Sequence, residues 1–164
     1  MKLIYIGDIV NTHGIKGELR IISDFKYKKE VFKKGMKLYI GRFHNVEVIN
    51  TYRKHKNYDM VTLEGLNNIN DVIMYKGDSV YINRDDIKID GYFNEDIIGL
   101  SVISNNENKG IVKNILKNKA HDILFIEDNG NNHMVPFVDE FIEKIDLEDK
   151  KIYIKEMKGL FDED

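Results

Sequence analysis

The sequence predicts an all-β protein built from two small β-barrels with one or two short helices. Three observations support this fold class. Apolar and polar residues mostly alternate with the period of two that a half-buried strand requires. Glycines and Asn/Asp pairs interrupt these runs at intervals that suit short, turn-connected strands. A polar stretch at 83–96, which contains five acids, divides the chain into halves that each hold about six strands.

The strand predictions follow the chain in order. Alternation is clearest at 18–21, 45–48 and 151–155, and shorter β-rich runs lie at 36–40, 60–63, 79–82 and 111–116. Segment 123–126 is continuously apolar, which is typical of a central strand. Asn129-Gly130 predicts a hairpin, because both residues tolerate positive φ.

Helix is predicted in only two places. Segment 67–77 begins with asparagines that can cap a helix, places apolar residues on one face and ends at Gly77. Segment 27–34, followed by Gly35, is the second candidate. The single proline, Pro136, suits a strand end or an edge strand, because it lacks the N–H that a central strand uses.

We expect an N-terminal domain at 1–84, a linker at 85–96 and a C-terminal domain at 97–164. Residues 1–90 carry 16 basic and 12 acidic residues, a net charge of +4, whereas residues 91–164 carry 9 and 16, a net charge of −7. This asymmetry suits two surfaces for two kinds of partner, and it also suits two ordinary solvated domains.

The composition indicates a soluble cytoplasmic protein. A chain of 164 residues with 42% hydrophobic side chains can bury a core without disulfides or metal. The absence of cysteine fits a reducing compartment. No apolar run approaches the ~20 residues of a membrane span, so we expect no membrane partner.

Motifs for catalysis or metal binding are missing from the sequence. Four serines, no cysteine and no G-x-S-x-G elbow leave no recognisable nucleophile, and 28 acidic residues make chance carboxylate pairs unavoidable. The five histidines show no H-x-x-x-H spacing. We therefore expect no enzyme, no metal, no cofactor and no small-molecule substrate. A hydrolase using His121 and nearby acids is a distant alternative.

The stretch NTHGIKGELRI at 11–21 resembles a phosphate-binding loop only superficially. Its two glycines, Gly14 and Gly17, are too close for a Walker loop, and strand-like flanks exclude the inter-helix G-x-x-G clamp of a KH domain. Gly14 and Gly17 can adopt positive φ, which predicts a structural turn from which Lys16 could contact phosphate.

Other candidate contact residues have both a functional and a structural interpretation. Arg53, Lys54 and Lys56, in the predicted hairpin loop 53–58, either contact RNA phosphates or belong to a solvated loop. Arg20 is a further RNA-contact candidate in the basic half. Tyr92 and Phe93 either anchor a protein partner or plug the base of the second barrel. Glu140 and Glu143 suit a basic protein partner.

Five ordered blocks resemble one family, the ribosome maturation factor RimM family, over essentially the whole chain. The blocks are IGDIVNTHGIKGELRI, GLNNINDVIMYKGDSVYI, DIIGLSV, HDILFIED and VPFVDEFIEKIDLEDKKIYI. The resemblance implies an N-terminal barrel like those of translation factors, followed by a PRC-barrel. It also implies a non-enzymatic factor that binds the head of the small (30S) ribosomal subunit and assists late 16S rRNA processing and folding.

The resemblance further implies contact with ribosomal protein nineteen of the small subunit and with nearby 16S rRNA. A tyrosine pair that precedes the PRC-barrel in this family corresponds to Tyr92 and Phe93. Phe93 lacks the hydroxyl, and Asn94 stands where a tryptophan is often found. The alternative is a general RNA-binding β-barrel protein that is not dedicated to ribosome assembly.

Overall fold

The computed structural model describes residues 1–156 and 159–161. The chain divides into two compact units, 1–90 and 91–164, at a point inside the segment 85–96 that we expected to be a linker. In the first unit the strands are β1 Leu3–His13, β2 Glu18–Ile22, β3 Lys37–Ile40, β4 Asn45–His55, β5 Tyr58–Leu63 and β6 Ser79–Asn83, and the helices are α1 Lys28–Val31 and α2 Ile69–Val72. In the second unit the helix α3 Asn94–Ile97 precedes β7 Ser101–Ser104, β8 Glu107–Leu116, β9 Ile123–Asp128, β10 Asn131–Pro136, β11 Ile142–Asp146 and β12 Lys151–Ile154.

The first unit is a closed barrel with the strand order β1-β2-β5-β4-β3-β6. Strand β1 closes the sheet by pairing with β2 on one side and with β6, through Tyr5 and Tyr81, on the other. Closure removes the unpaired edges that an open sheet would expose. Inward-facing side chains such as Ile21, Leu63 and Ile82 are fully buried and fill the interior.

One carboxylate interrupts this apolar interior. Asp59 in β5 is fully buried and pairs in register with Ile21, so it points to the same side of the sheet. Tyr52 Oη donates a hydrogen bond of 2.6 Å to Asp59 Oδ1, while Lys28 Nζ of α1 lies 2.9 Å from Oδ2 and Lys54 Nζ lies 3.7 Å from Oδ1. A buried charge requires such partners. These contacts therefore hold α1 against β4 and β5.

An aromatic contact reinforces the same junction. The ring of Phe32, at the end of α1, stacks on Tyr52 with centroids 5.6 Å apart and an interplanar angle of 14°. Burial, followed by the hydrogen bond to Asp59, raises the pKa of Tyr52 to about 12. The Tyr52 hydroxyl therefore remains a donor to the buried carboxylate throughout the physiological pH range.

The short helices agree with the predicted ones at two positions and add a third. α1 lies within the predicted segment 27–34, and α2 lies within 67–77, where Asn68 Oδ1 accepts a hydrogen bond of 2.8 Å from the N–H of Asn70. Helix α3, in the expected linker, was not predicted. It begins where Asp96 Oδ2 accepts a hydrogen bond of 2.9 Å from the N–H of Phe93. A single turn is too short to produce a helical period in the sequence.

The second unit is a six-stranded sheet with the order β10-β9-β8-β7-β12-β11. β7 and β12 run parallel, whereas the other neighbouring strands are antiparallel. The predicted hairpin at Asn129-Gly130 is confirmed, with φ of +50° and +89° in the turn between β9 and β10. The core of the second unit consists of Ile97, Leu100, Val102, Val112, Ile115, Leu124, Ile126, Val135, Ile152 and Ile154. The predicted all-β fold class is confirmed.

Removing the Asp59 carboxylate should destabilise the first unit. Asp59→Ala leaves Tyr52 Oη without its charged acceptor, which should cost about 2 kcal/mol of unfolding free energy, whereas the two partly exposed lysines regain water and add little. Urea unfolding followed by circular dichroism measures this loss. Asp90→Ala, at an exposed position of the same unit, is the control and should change the unfolding midpoint little. Equal midpoints for the two variants would contradict the structural role of Asp59.

Candidate functional site

The glycines of the stretch 11–21 form the tight turn between β1 and β2. Gly14 and Gly17 have φ of +70° and +87°, the left-handed region that favours glycine. A Cβ on Gly17 would lie 2.5 Å from the backbone oxygen of Leu66, whereas one on Gly14 would meet open space. Gly17 is therefore required both for its backbone angle and for close packing. Lys16 and its neighbour Ile15 are exposed at the tip of this turn.

Arg20 lies on the outer face of β2, where it is partly enclosed. One of its terminal nitrogens, Nη2, lies 2.7 Å from His13 Nδ1, and its guanidinium carbon lies 5.5 Å from the ring centroid of Tyr58. Its Nε is buried without a hydrogen-bond partner in the described part of the chain. In register, Arg20 and Arg53 flank Met60, whose side chain is fully buried. The aliphatic stems of the two arginines are thus placed to cover Met60.

Arg53 is already engaged with a carboxylate of the same barrel. Its Nε and Nη2 donate hydrogen bonds of 2.9 and 2.7 Å to the two carboxylate oxygens of Glu18, a bidentate arrangement. These hydrogen bonds, more than the charge attraction, hold the pKa of Glu18 below its usual value. The positive charge of Arg53 is consequently compensated at neutral pH.

Lys54 and Lys56 differ in whether a carboxylate of the same unit compensates their charge. Lys54 forms a long ion pair, because its ammonium lies 3.7 Å from the Asp59 carboxylate. Lys56 occupies the β4–β5 turn with a φ of +54° and is exposed. Within the described residues, neither Lys56 nor Lys16 forms an ion pair. The five RNA-contact candidates therefore divide into three that also serve the barrel and two, Lys16 and Lys56, that project into solvent.

The two aromatic candidates have different environments. Tyr92 is 41% exposed, and its ring lies 5.9 Å from that of Phe137. Phe93 is only 9% exposed, and its backbone N–H donates the hydrogen bond to Asp96 with which α3 begins. Tyr92 is therefore accessible to a partner, whereas Phe93 is placed to hold the segment before α3 in position. Burial favours the alternative interpretation, a plug, for Phe93 and disfavours it for Tyr92.

The acidic candidates lie at the surface of the second unit. Glu140 and Glu143 are both exposed, Glu140 ahead of β11 and Glu143 within it. Glu143 lines a shallow groove together with Tyr153 and Ile103. Lys144 Nζ lies 5.7 Å from the ring centroid of Tyr153. This face combines carboxylates with an aromatic ring that already accommodates a cation.

The described residues contain no group of three or more His, Cys, Asp or Glu side chains that could hold a metal ion. None of the helices at 1–156 is long and apolar enough to cross a membrane.

Sequence reasoning missed an aromatic run on the outer face of the first unit. Tyr5, Tyr81, His44 and Phe43 are linked by ring contacts and by chain neighbourhood, and Phe43 is 83% exposed. Strand pairing brings these residues together from three parts of the chain. The available signal was local: Phe43 lies between the polar residues Arg42 and His44, in the short segment that separates the predicted strands 36–40 and 45–48.

Comparisons with known proteins cover nearly the whole chain. A family model described as RimM N-terminal domain matches residues 4–87, and one described as RimM PRC barrel domain matches residues 94–160. The chain is 38% identical over 166 residues to the protein named Ribosome maturation factor RimM of Staphylococcus haemolyticus, a match that covers 97% of this chain and 99% of that protein. The protein of the same name from Ligilactobacillus salivarius is 38% identical over 168 residues, with coverages of 98% and 99%. That of Geobacillus kaustophilus is 36% identical, with coverages of 96% and 95%.

Proposed function

The chain belongs to the RimM family of ribosome maturation factors and acts in ribosome maturation, and we propose that it does so by binding the head of the small ribosomal subunit. In this proposal it assists the late processing and folding of 16S rRNA in the cytoplasm, without catalysing a covalent step. The observation that carries the proposal is the match of both units, in order, to the two RimM domains.

The second unit is proposed to bind ribosomal protein nineteen of the small subunit. Its segment carries a net charge of −7, and its carboxylates Glu140 and Glu143 are exposed. A ribosomal protein that binds rRNA is basic, so the charges are complementary. Tyr92 adds a large exposed ring supported by Phe137, which is the kind of rigid aromatic group that dominates many interfaces. Phe93 supports this contact from within the unit.

The first unit is proposed to approach 16S rRNA. Lys16 and Lys56 are its solvent-projecting candidates, one at the β1–β2 turn and the other at the β4–β5 turn. Arg20, Arg53 and Lys54 contribute mainly through the barrel surface that they stabilise. Such contacts with phosphate add affinity without reading sequence.

The mechanism follows from differential affinity. A protein that binds the maturing conformation of the subunit more tightly than the finished one shifts the population toward the maturing form, by as much as the two affinities differ. The same difference releases the factor when maturation is complete. Surfaces of opposite charge on the two units allow one molecule to engage protein and RNA in the same region.

Truncating Tyr92 should weaken the contact with ribosomal protein nineteen. Tyr92→Ala removes an exposed ring, so we expect about a tenfold loss of affinity, measured by calorimetry, with an unchanged melting temperature. Leu147→Ala, at an exposed position of the β11–β12 turn, is the matched control and should bind like the wild type. Phe93→Ala should instead lower the melting temperature. Wild-type affinity in Tyr92→Ala would remove this residue from the interface.

The RNA contact can be tested by salt dependence. The double variant Lys16→Ala, Lys56→Ala should bind immature subunits less tightly and reduce the slope of log affinity against log salt by roughly 1–2, since each lost phosphate contact removes about 0.7–0.9. The matched control is Glu18→Gln with Arg53→Gln, which removes one compensated pair without changing the net charge. Its slope should remain that of the wild type. A slope that falls in the control and not in the lysine variant would contradict the assignment.

A further inference from the structure

Three rings on the outer face of the first unit, those of Tyr5, Tyr81 and His44, contact one another, and Phe43 precedes His44 in the chain. These four residues are here called the aromatic patch. The ring centroids of Tyr5 and Tyr81 are 5.9 Å apart, and those of Tyr81 and His44 are 5.2 Å apart. Both pairs meet at steep angles, 67° and 71°, so the rings do not cover one another as a parallel stack would. Exposed patches of this kind mark interaction sites.

The β3–β4 turn presents the outermost part of the patch. Gly41 and His44 have φ of +77° and +53°, and the N–H of His44 donates a hydrogen bond of 3.1 Å to the carbonyl oxygen of Gly41. This closed turn places Phe43 at its tip with 83% of the side chain exposed. Phe43, at the tip of this hydrogen-bonded turn, contributes nothing to the core, and its ring is accessible to another molecule.

Carboxylates border the aromatic patch. Asp8 accepts hydrogen bonds from the Tyr5 hydroxyl and, at 2.8 Å, from Ser79 Oγ. Asp24 is close enough for its charge to act on the Tyr5 phenol. Asp78 lies against the turn, since a Cβ on Gly41 would be 2.8 Å from its Oδ2.

The chemistry of the patch favours a cation over a phosphate. Aromatic ring faces attract guanidinium and ammonium groups, and nearby carboxylates add to that attraction while repelling phosphate. The hydrogen bond to Asp8, followed by burial, raises the pKa of Tyr5 to about 12, so its ring remains neutral. The guanidinium carbon of Arg42 lies 5.7 Å from the ring centroid of Phe43, which shows that a guanidinium fits on that ring.

We propose that the aromatic patch binds an arginine- or lysine-rich polypeptide segment, which gives the first unit a protein-binding surface of its own. Cationic side chains of the partner lie on the rings of Tyr5, Tyr81 and Phe43 and pair with the bordering carboxylates. Arg42 competes with the partner for the ring of Phe43. This surface is separate from the proposed RNA contacts at Lys16 and Lys56, and it does not depend on them.

The test uses the full chain and a fluorescein-labelled peptide of alternating arginine and glycine, with affinity measured by fluorescence anisotropy. Phe43→Ala and Tyr5→Ala should each weaken binding about fivefold, a magnitude that corresponds to one cation–ring contact. Phe43 is almost fully exposed, so a folding defect cannot account for the loss in that variant. Ile15→Ala, an exposed apolar change on another hairpin of the same unit, should bind the peptide like the wild type.

Arg42→Ala distinguishes the proposed occupant from RNA. If the patch binds a cationic peptide, removing the competing guanidinium should leave the peptide affinity unchanged or increase it. A single-stranded oligoribonucleotide provides the second arm, and its affinity should not respond to Phe43→Ala. The proposal is overturned if Phe43→Ala and Tyr5→Ala leave peptide binding unchanged. It is also overturned if Phe43→Ala and Arg42→Ala both weaken binding of the oligoribonucleotide.

Discussion

The first unit depends on the compensation of one buried charge. Asp59 points into an otherwise apolar barrel, where an unpaired charged carboxylate would cost several kcal/mol, a large part of the stability of a small domain. Tyr52 and two lysines supply the partners, and one of them, Lys28, belongs to α1. The requirement therefore determines where α1 docks. It also engages Lys54, which a sequence reading assigns to RNA.

More of the fold than of the candidate site could be predicted from the sequence. Period-two alternation and turn residues identify most of the strands, because each signal is local, and Asn129-Gly130 even specifies its hairpin. The pairing of Arg53 with Glu18 joins residues that are distant in sequence. The pairing of Lys54 with Asp59 joins two neighbouring strands, and the alternation of polar and apolar residues gives no sign of it. A basic residue in sequence is therefore only a candidate for phosphate. Whether its charge is already compensated depends on strand register, which cannot be predicted from composition.

The environments of the aromatic residues likewise depend on tertiary structure. Tyr92 and Phe93 are neighbours with similar side chains, yet one is exposed and the other is buried, because α3 begins immediately after them. The one-turn helix has no sequence period, so the difference was not predictable. Tyr5 and Phe43 lie in unrelated segments, and only closure of the barrel places them on one surface. The proposed binding surfaces of both units thus depend on tertiary structure rather than on motifs.

The proposed function requires the protein to prefer an unfinished subunit. Sedimentation of the purified protein with small subunits from cells depleted of it, compared with mature subunits at the same salt concentration, measures this preference directly. We predict co-sedimentation with the immature particles at concentrations that leave the mature particles unbound. Equal binding to both particles would contradict the proposal, because a factor with no differential affinity can neither favour the maturing conformation nor dissociate when maturation is complete.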